Sequence, residues 1–109
     1  MPSVNDSHGA GRWWVAIVFG LSVTATGCGN TLYAIQANSA ASKLEEAQEL
    51  GAEQYAPYEY FYAKEHLQKA QSEASEADYS DAVDLAATSE EYADKAVRLT
   101  REAHRGAGR

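Results

Sequence analysis

The sequence lacks residues that several classes of protein require. Among its 109 residues there is a single cysteine, so an internal disulfide is excluded and disulfide content says nothing about the compartment. Sixteen acidic and nine basic side chains give a net charge of −7, which leaves no basic face to replace the counterions of a nucleic acid. We therefore expect no nucleic-acid partner, and anionic lipid headgroups would not attract the chain by charge alone.

Long apolar runs are also missing. The longest run extends from Trp13 to Val23, follows Arg12, and lies in a stretch without charge that reaches Cys28. A membrane-spanning helix needs about 20 predominantly apolar residues, whereas the core of a signal peptide has roughly 7–15. The run therefore predicts an N-terminal signal helix rather than a membrane span.

The residues that end this run are similar to a bacterial lipobox. The stretch is "TATGC", in which Gly27 and Thr26 are the small residues before the cysteine and Ala25 stands where leucine is usual. In a lipobox the cysteine thiolate takes a diacylglyceryl group, and its freed amine is then acylated. The pattern predicts cleavage by signal peptidase II between Gly27 and Cys28, and lipidation of Cys28. The alternative is a signal-anchored, single-pass inner-membrane structural protein in which Cys28 is unmodified.

The residue after the cysteine bears on the destination. In enterobacteria an aspartate at that position retains lipoproteins in the inner membrane, and here the residue is Gly29. If that rule applies, we expect the chain at the periplasmic face of the outer membrane, held there by its lipid anchor.

The chain after Cys28 has a helix-forming composition. It contains one proline, Pro57, and is rich in Ala, Glu, Gln and Lys. A first helix is expected from Thr31 to Leu50, with Gly51 as its stop. Pro57 opens the second helix, and Asp78 is a suitable N-cap for the third. Since the connections are short, we expect an all-α fold, a small antiparallel three-helix array made of an αα-hairpin and one preceding helix.

These signals divide the chain into four parts. We expect a signal peptide over residues 1–27, a lipidated N-terminus over 28–30, a helical periplasmic domain over 31–105 and a flexible tail over 106–109.

Residues at spacings of three and four predict the buried faces of the three helices. In the first helix they are Ala34, Ala37, Ala41, Leu44 and Ala47; in the second Tyr60, Ala63, Leu67, Ala70, Ala74 and Ala77; in the third Ala82, Leu85, Ala86, Ser89, Ala93, Ala96, Leu99, Thr100 and Ala103.

After Cys28 the chain has only nine Leu, Ile and Val residues, compared with eighteen alanines. Tyrosines are expected to supply the bulk that these large aliphatic side chains would otherwise give the core. They concentrate in "YAPYEYFY", residues 55 to 62. One interpretation is a partner-binding platform made of Tyr55, Tyr58, Tyr60 and Tyr62. The other is that alternate members pack into the core and the rest cap it. In that case Tyr58, Phe61 and Tyr62 share one side of the helix, Tyr60 lies on the other, and Tyr55 turns towards the core.

Catalytic and metal-binding patterns are not apparent. His66 has Lys69 and Ala70 at the third and fourth following positions, so it lacks a second helical ligand and is expected to be a surface side chain. Acidic residues alternate with Lys and Arg at helical spacing, which is typical of a solvated face. We expect no enzyme activity, no cofactor and no metal.

The stretch from Leu44 to Ala96 resembles the domain-of-unknown-function 4398 family of bacterial lipoproteins. The residues that carry the resemblance are Gly51, Ala52, Tyr55, Ala56, Pro57, Ala63, Leu67, Ala70, Asp78, Tyr79, Ala82 and Ala86. The resemblance implies a small envelope protein without assigned enzymatic activity. The partner that it implies is an envelope protein of the OmpA-like kind, and self-association is the alternative. The second half is also similar to a tetratricopeptide helix pair, but one pair is too few for a solenoid.

Overall fold

The computed structural model describes residues 27–108, and within this range the chain is helical throughout except at its turns. The helices are α1 (Gly27–Leu50), α2 (Ala52–Tyr55), α3 (Pro57–Ser75) and α4 (Tyr79–Ala107). This confirms the all-α class and the three-helix array, to which the structure adds the single turn α2 in the first connection. The predicted signal segment before Gly27 lies outside the described residues. None of the described helices combines the length and apolar character that crossing a membrane requires.

Contacts along α4 define how the long helices are oriented. Gly29 of α1 lies against Tyr79 at the start of α4, and Leu50 at the end of α1 meets His104 near the end of α4. The two helices are therefore parallel. Ala63 of α3 pairs with Ser89 of α4 while the chain reverses between them, so α3 is antiparallel to α4. Short connections between sequential helices give this up-down-up arrangement.

The helix boundaries follow from local chemistry. Gly51 ends α1 with φ 88°, a left-handed conformation that glycine adopts without steric cost. Pro57 opens α3 after Ala56, which has non-helical angles, as a residue before proline should. The Asp78 side chain accepts a hydrogen bond from the Asp81 backbone N–H and caps α4. These boundary predictions are confirmed.

The first helix starts earlier than the sequence predicts. The expected start was Thr31, but α1 includes the two glycines of the "GCGN" stretch and begins at Gly27. A Cβ atom on Gly29 would lie 3.2 Å from Cβ of Tyr79, so α4 approaches the backbone of α1 closely here. This contact from α4 stabilises a first turn that helix propensity alone disfavours. At the other end, α4 continues to Ala107, into the segment expected as a tail.

The structure confirms only part of the predicted core face of α1. Ala40, Leu44 and Ala47 are buried, whereas Ala34 and Ala41 are exposed. Alanines occur on more than one side of this helix, so its own spacing does not identify the buried side. The position of α4 and α3 selects the face that contains Ala40.

The faces of α3 and α4 agree more closely with the prediction. In α3 the buried residues are Tyr60, Ala63, Leu67 and Ala70. Two predicted members differ, since Ala74 is half-buried and Ala77 is exposed beyond the end of α3 with φ 63°. In α4 the buried residues are Ala82, Ala86, Ser89, Ala93, Ala96, Val97 and Thr100, so Val97 was missed, and Leu85, Leu99 and Ala103 are half-buried.

Candidate functional site

Cys28, the predicted lipid acceptor, lies in the first turn of α1 and is exposed. Gly27, the residue before the predicted cleavage point, is the first residue of the same helix. No flexible linker separates Cys28 from the body, because α1 continues from there to Leu50. A group attached to the Cys28 sulfur would therefore be fixed to one end of the helical array.

The predicted aromatic platform divides among three places. Tyr60 is buried, with only 4% of its surface exposed, and belongs to the core. Tyr55 is 44% exposed and contacts the His104 ring in a tilted arrangement with centroids 4.7 Å apart, so the expectation that it turns towards the core is wrong. Its one-turn helix α2 directs it to the end of the array where α4 finishes. Tyr58 and Tyr62 remain together on the outer side of α3.

An aromatic face, formed by Tyr58, Phe61, Tyr62, His66 and Tyr92, covers the boundary between α3 and α4. The Tyr62 ring stacks on His66 at 4.0 Å and contacts Tyr92 at 4.2 Å. Tyr58 lies 5.7 Å from Tyr62 and 6.4 Å from Tyr92. The outer members remain accessible, since Tyr58 is 65% and Phe61 45% exposed. The aromatic face thus joins a packed ring cluster to solvent-accessible rings.

Sequence reasoning omitted Tyr92 and His66 from this group. Their inclusion depends on the antiparallel pairing of α3 and α4, which brings position 92 opposite positions 58 and 62. The signal was present in the expected hairpin, since the middle of the longer helix α4 must lie beside the start of α3. The helical spacing of Tyr58, Tyr62 and His66 also places all three on one side of α3.

Charged groups border the aromatic face. The Lys95 ammonium lies 4.4 Å from the centroid of the Tyr92 ring, a cation–π contact. The Glu91 carboxylate accepts a 2.8 Å hydrogen bond from Lys95, and this bond raises the pKa of the lysine. Glu65 lines the neighbouring hollow with Pro57 and Phe61. The face is thus rimmed by charges of both signs.

Tyr60 contributes to the core rather than to a binding surface. Burial raises the pKa of its phenol, and the nearby Glu53 carboxylate raises it further by charge and by a side-chain hydrogen bond. Its ring also meets Phe61 edge-on, with centroids 5.1 Å apart. Tyr60 therefore supports the aromatic face from beneath.

The two histidines of the body both contact helix carbonyls. His66 Nδ1 lies 2.8 Å from the Tyr62 carbonyl oxygen, and His104 Nε2 lies 2.8 Å from that of Leu50. The Leu50 carbonyl is at the end of α1, where intrahelical donors are lacking. These contacts give both rings a structural role.

Three carboxylates that the sequence analysis did not group meet at the α3–α4 turn. Oxygens of Glu73, Asp78 and Asp81 lie within 4.8 Å of one another. Asp78 is the N-cap of α4 and Asp81 lies in its first turn, where the helix dipole stabilises negative charge. Capping and the helix dipole account for both aspartates. An open groove of about 310 Å³ extends from Glu73 and Asp81 to Tyr62 and His66.

The chain matches a model of a known protein family. The family model Domain of unknown function (DUF4398) matches residues 36–106, which include most of α1 and all of α2 and α3. Neither the curated proteins nor the solved structures contain a match to this chain. Because the matched region covers well over half of the sequence, the chain belongs to the DUF4398 family.

Proposed function

We propose that this chain is a non-enzymatic lipoprotein of the bacterial envelope, anchored through Cys28 and acting through its helical body as a binding or adaptor domain. The observation that carries the proposal is the solitary cysteine, which follows small residues at the end of a short apolar run. The exposure of Cys28 at the extreme end of the body is compatible with attachment to lipid.

Metabolic labelling tests the anchor. We expect the wild-type protein to incorporate labelled palmitate and the Cys28→Ala variant to remain an unlabelled precursor in the inner membrane. Asn30→Ala, which changes an exposed residue of the same helix, serves as the control and should be processed normally. If the wild type takes up no label and Cys28→Ala has the same mobility, the signal-anchored alternative is correct.

The aromatic face is the surface that we assign to the partner. Tyrosine and phenylalanine provide large contact area at low conformational cost, and exposed apolar groups of this kind mark interaction sites. Tyr58 and Phe61 are the most accessible members, while Tyr62 and Tyr92 hold the face rigid from within. The partner that fits the family resemblance is another envelope protein, with OmpA-like proteins as the first candidates.

A photo-crosslinking amino acid can locate the contact. Placed at position 58 in living cells, it should capture one defined envelope protein, and the additional change Phe61→Ser should lower the yield. The control position is Gln71, which is exposed on the same helix away from the aromatic rings. Equal capture from positions 58 and 71 would contradict the assignment of this face.

A further inference from the structure

The first turns of α1 expose apolar side chains beside the proposed lipid acceptor. Cys28, Leu32 and Ile35 are separated by four and three residues, so they lie on one side of the helix and form an anchor stripe. Leu32 is 48% and Ile35 60% exposed, and Cys28 is exposed as well. The stripe is therefore an outward apolar surface that the helical array leaves uncovered.

This part of α1 also lacks charge. Between Gly27 and Ser42 no residue is charged, and Lys43 is the first charged side chain of the helix. Beyond that point each of the three long helices has both acidic and basic residues. The uncharged part of α1 is thus the part that continues directly from Cys28.

Two tyrosines occupy the same end of the array. Tyr33 of α1 and Tyr79 of α4 have ring centroids 6.4 Å apart and are both half-buried. Tyrosine is enriched where membrane and water meet, because its ring is apolar and its hydroxyl is polar. Tyr33 lies about 100° around α1 from Leu32, on the side that faces α4, so the two rings are at the same end of the array as the anchor stripe and at the level expected for a lipid–water interface.

The geometry of the anchor brings the stripe to the bilayer. This step rests on the proposed lipidation of Cys28, whose glycerol group would hold the sulfur at the level of the lipid glycerols. At 1.5 Å per residue, Leu32 and Ile35 lie about 6 and 10 Å along the axis from Cys28. A headgroup layer is roughly 5–7 Å thick on each side of the hydrocarbon core. A tilt of α1 suffices to bring both side chains into this layer.

We infer that the anchor stripe of Cys28, Leu32 and Ile35 lies in the interface of a phospholipid bilayer, so that the body docks on the membrane instead of swinging on a tether. The surface that fits is zwitterionic. Glu76, Asp78 and Asp81 are exposed at the same end and would be repelled by anionic headgroups. The aromatic face, which begins at the opposite end of α3, would then point away from the membrane.

Spin labels can measure the depth of the stripe. The mature protein is purified, its mass is measured to verify the acyl chains, and it is reconstituted into phosphatidylcholine vesicles. Lipidation consumes the Cys28 thiol, so Ile35→Cys and Ala34→Cys each provide one free thiol for a nitroxide. Ala34 is the matched control, because it is exposed at the same height and about 100° around the helix.

The expected result is a depth parameter, the logarithm of oxygen over nickel-chelate accessibility, that is positive at position 35 and negative at position 34. Replacing part of the phosphatidylcholine by phosphatidylglycerol should reduce the depth parameter at position 35.

A water-accessible label at position 35 in a protein that carries its acyl chains would overturn the inference and leave the proposed lipid anchor intact. A mass without acyl chains would instead refute the anchor, and with it the inference. Spin–spin coupling between labels at 35 in two copies would mean that self-association covers the stripe, which also overturns it.

Discussion

Buried hydroxyl groups show how single residues affect this alanine-rich core. Ser89 Oγ donates a 2.6 Å hydrogen bond to the Ala63 carbonyl oxygen and so links α4 to α3. The hydroxyl of Thr100 is also buried, and within the described residues it has no hydrogen-bond partner. The two hydroxyls therefore have opposite consequences for stability, because an unpaired buried polar group is destabilising and a paired one is not.

These two positions give the first prediction. Thr100→Val keeps the shape of the side chain and removes the unpaired hydroxyl, so we expect the free energy of unfolding to rise by about 1 kcal/mol. Ser89→Ala removes a bond between helices and should lower it by about 1 kcal/mol. Urea unfolding followed by circular dichroism measures both. A loss of stability in Thr100→Val would indicate that its hydroxyl has a partner after all.

The raised pKa of Tyr60 gives a prediction for alkaline pH. Burial and Glu53 disfavour the phenolate in the folded state, so above pH 10 the unfolded chain loses this proton first. The stability that depends on the neutral phenol is complete below pH 10 and is lost as the pH rises through the folded pKa. Tyr60→Phe should make the unfolding free energy less sensitive to pH in this range. Tyr55→Phe, at an exposed position, is the control, and an equal pH slope in wild type and Tyr60→Phe would contradict the prediction.

The ends of the helices determine the array at the scale of elements. The α3 helix ends in a Schellman motif, in which the Asp78 N–H donates to the Glu73 carbonyl at 2.9 Å and the Ala77 N–H to that of Ala74 at 3.0 Å. This motif places Ala77 at φ 63°, where glycine is the usual residue. Gly51 has the corresponding conformation after α1, with φ 88°.

The two turns form a matched pair for mutagenesis. Ala77→Gly relieves a left-handed alanine and should raise stability by about 1 kcal/mol, while Gly51→Ala should lower it by a similar amount. A Cβ on Gly51 would come no closer than 3.7 Å to the Tyr55 ring, so backbone strain accounts for that loss. Thermal unfolding of both variants is the measurement. If both changes destabilise the protein, strain at these φ values does not control the turns.

At the scale of the whole molecule, the proposed anchor lies at one end of the array and the aromatic face lies near its middle, since Tyr92 is halfway along α4. Cys28 is beside the start of α4, whereas Tyr58 is at the start of the antiparallel α3. A body that docks at the Cys28 end would present the aromatic face to partners away from the membrane. This separation lets one small domain attach and bind at the same time.

The expected outer-membrane location can be tested at Gly29. If the aspartate rule applies, Gly29→Asp should move the lipoprotein to the inner-membrane fraction of a sucrose gradient. Gly29→Ala is the required control, because any Cβ here approaches Tyr79 at 3.2 Å and both variants carry that contact. Relocation of both variants would indicate disturbed packing, and relocation of neither would mean that another signal determines the destination.

The sequence by itself determined the class of fold, the number of long helices and most of their ends. Three helix ends depend on the backbone and capping chemistry of single residues, which are Gly51, Pro57 and Asp78. These ends can therefore be predicted without knowing which residues pack against them. The faces of α3 and most of α4 followed from spacing, because leucine, tyrosine and alanine there contrast with charged residues on the other sides.

Only the tertiary structure decided the face of α1, its early start and the composition of the aromatic face. Alanines on several sides of α1 make its faces nearly equivalent in hydrophobicity, so the packing of α4 and α3 selects Ala40. The approach of Tyr79 to Gly29 extends α1 against its propensity, and the pairing of α3 with α4 brings Tyr92 to Tyr62. Each of these outcomes depends on contacts between residues far apart in the chain, whose energies the local sequence does not encode.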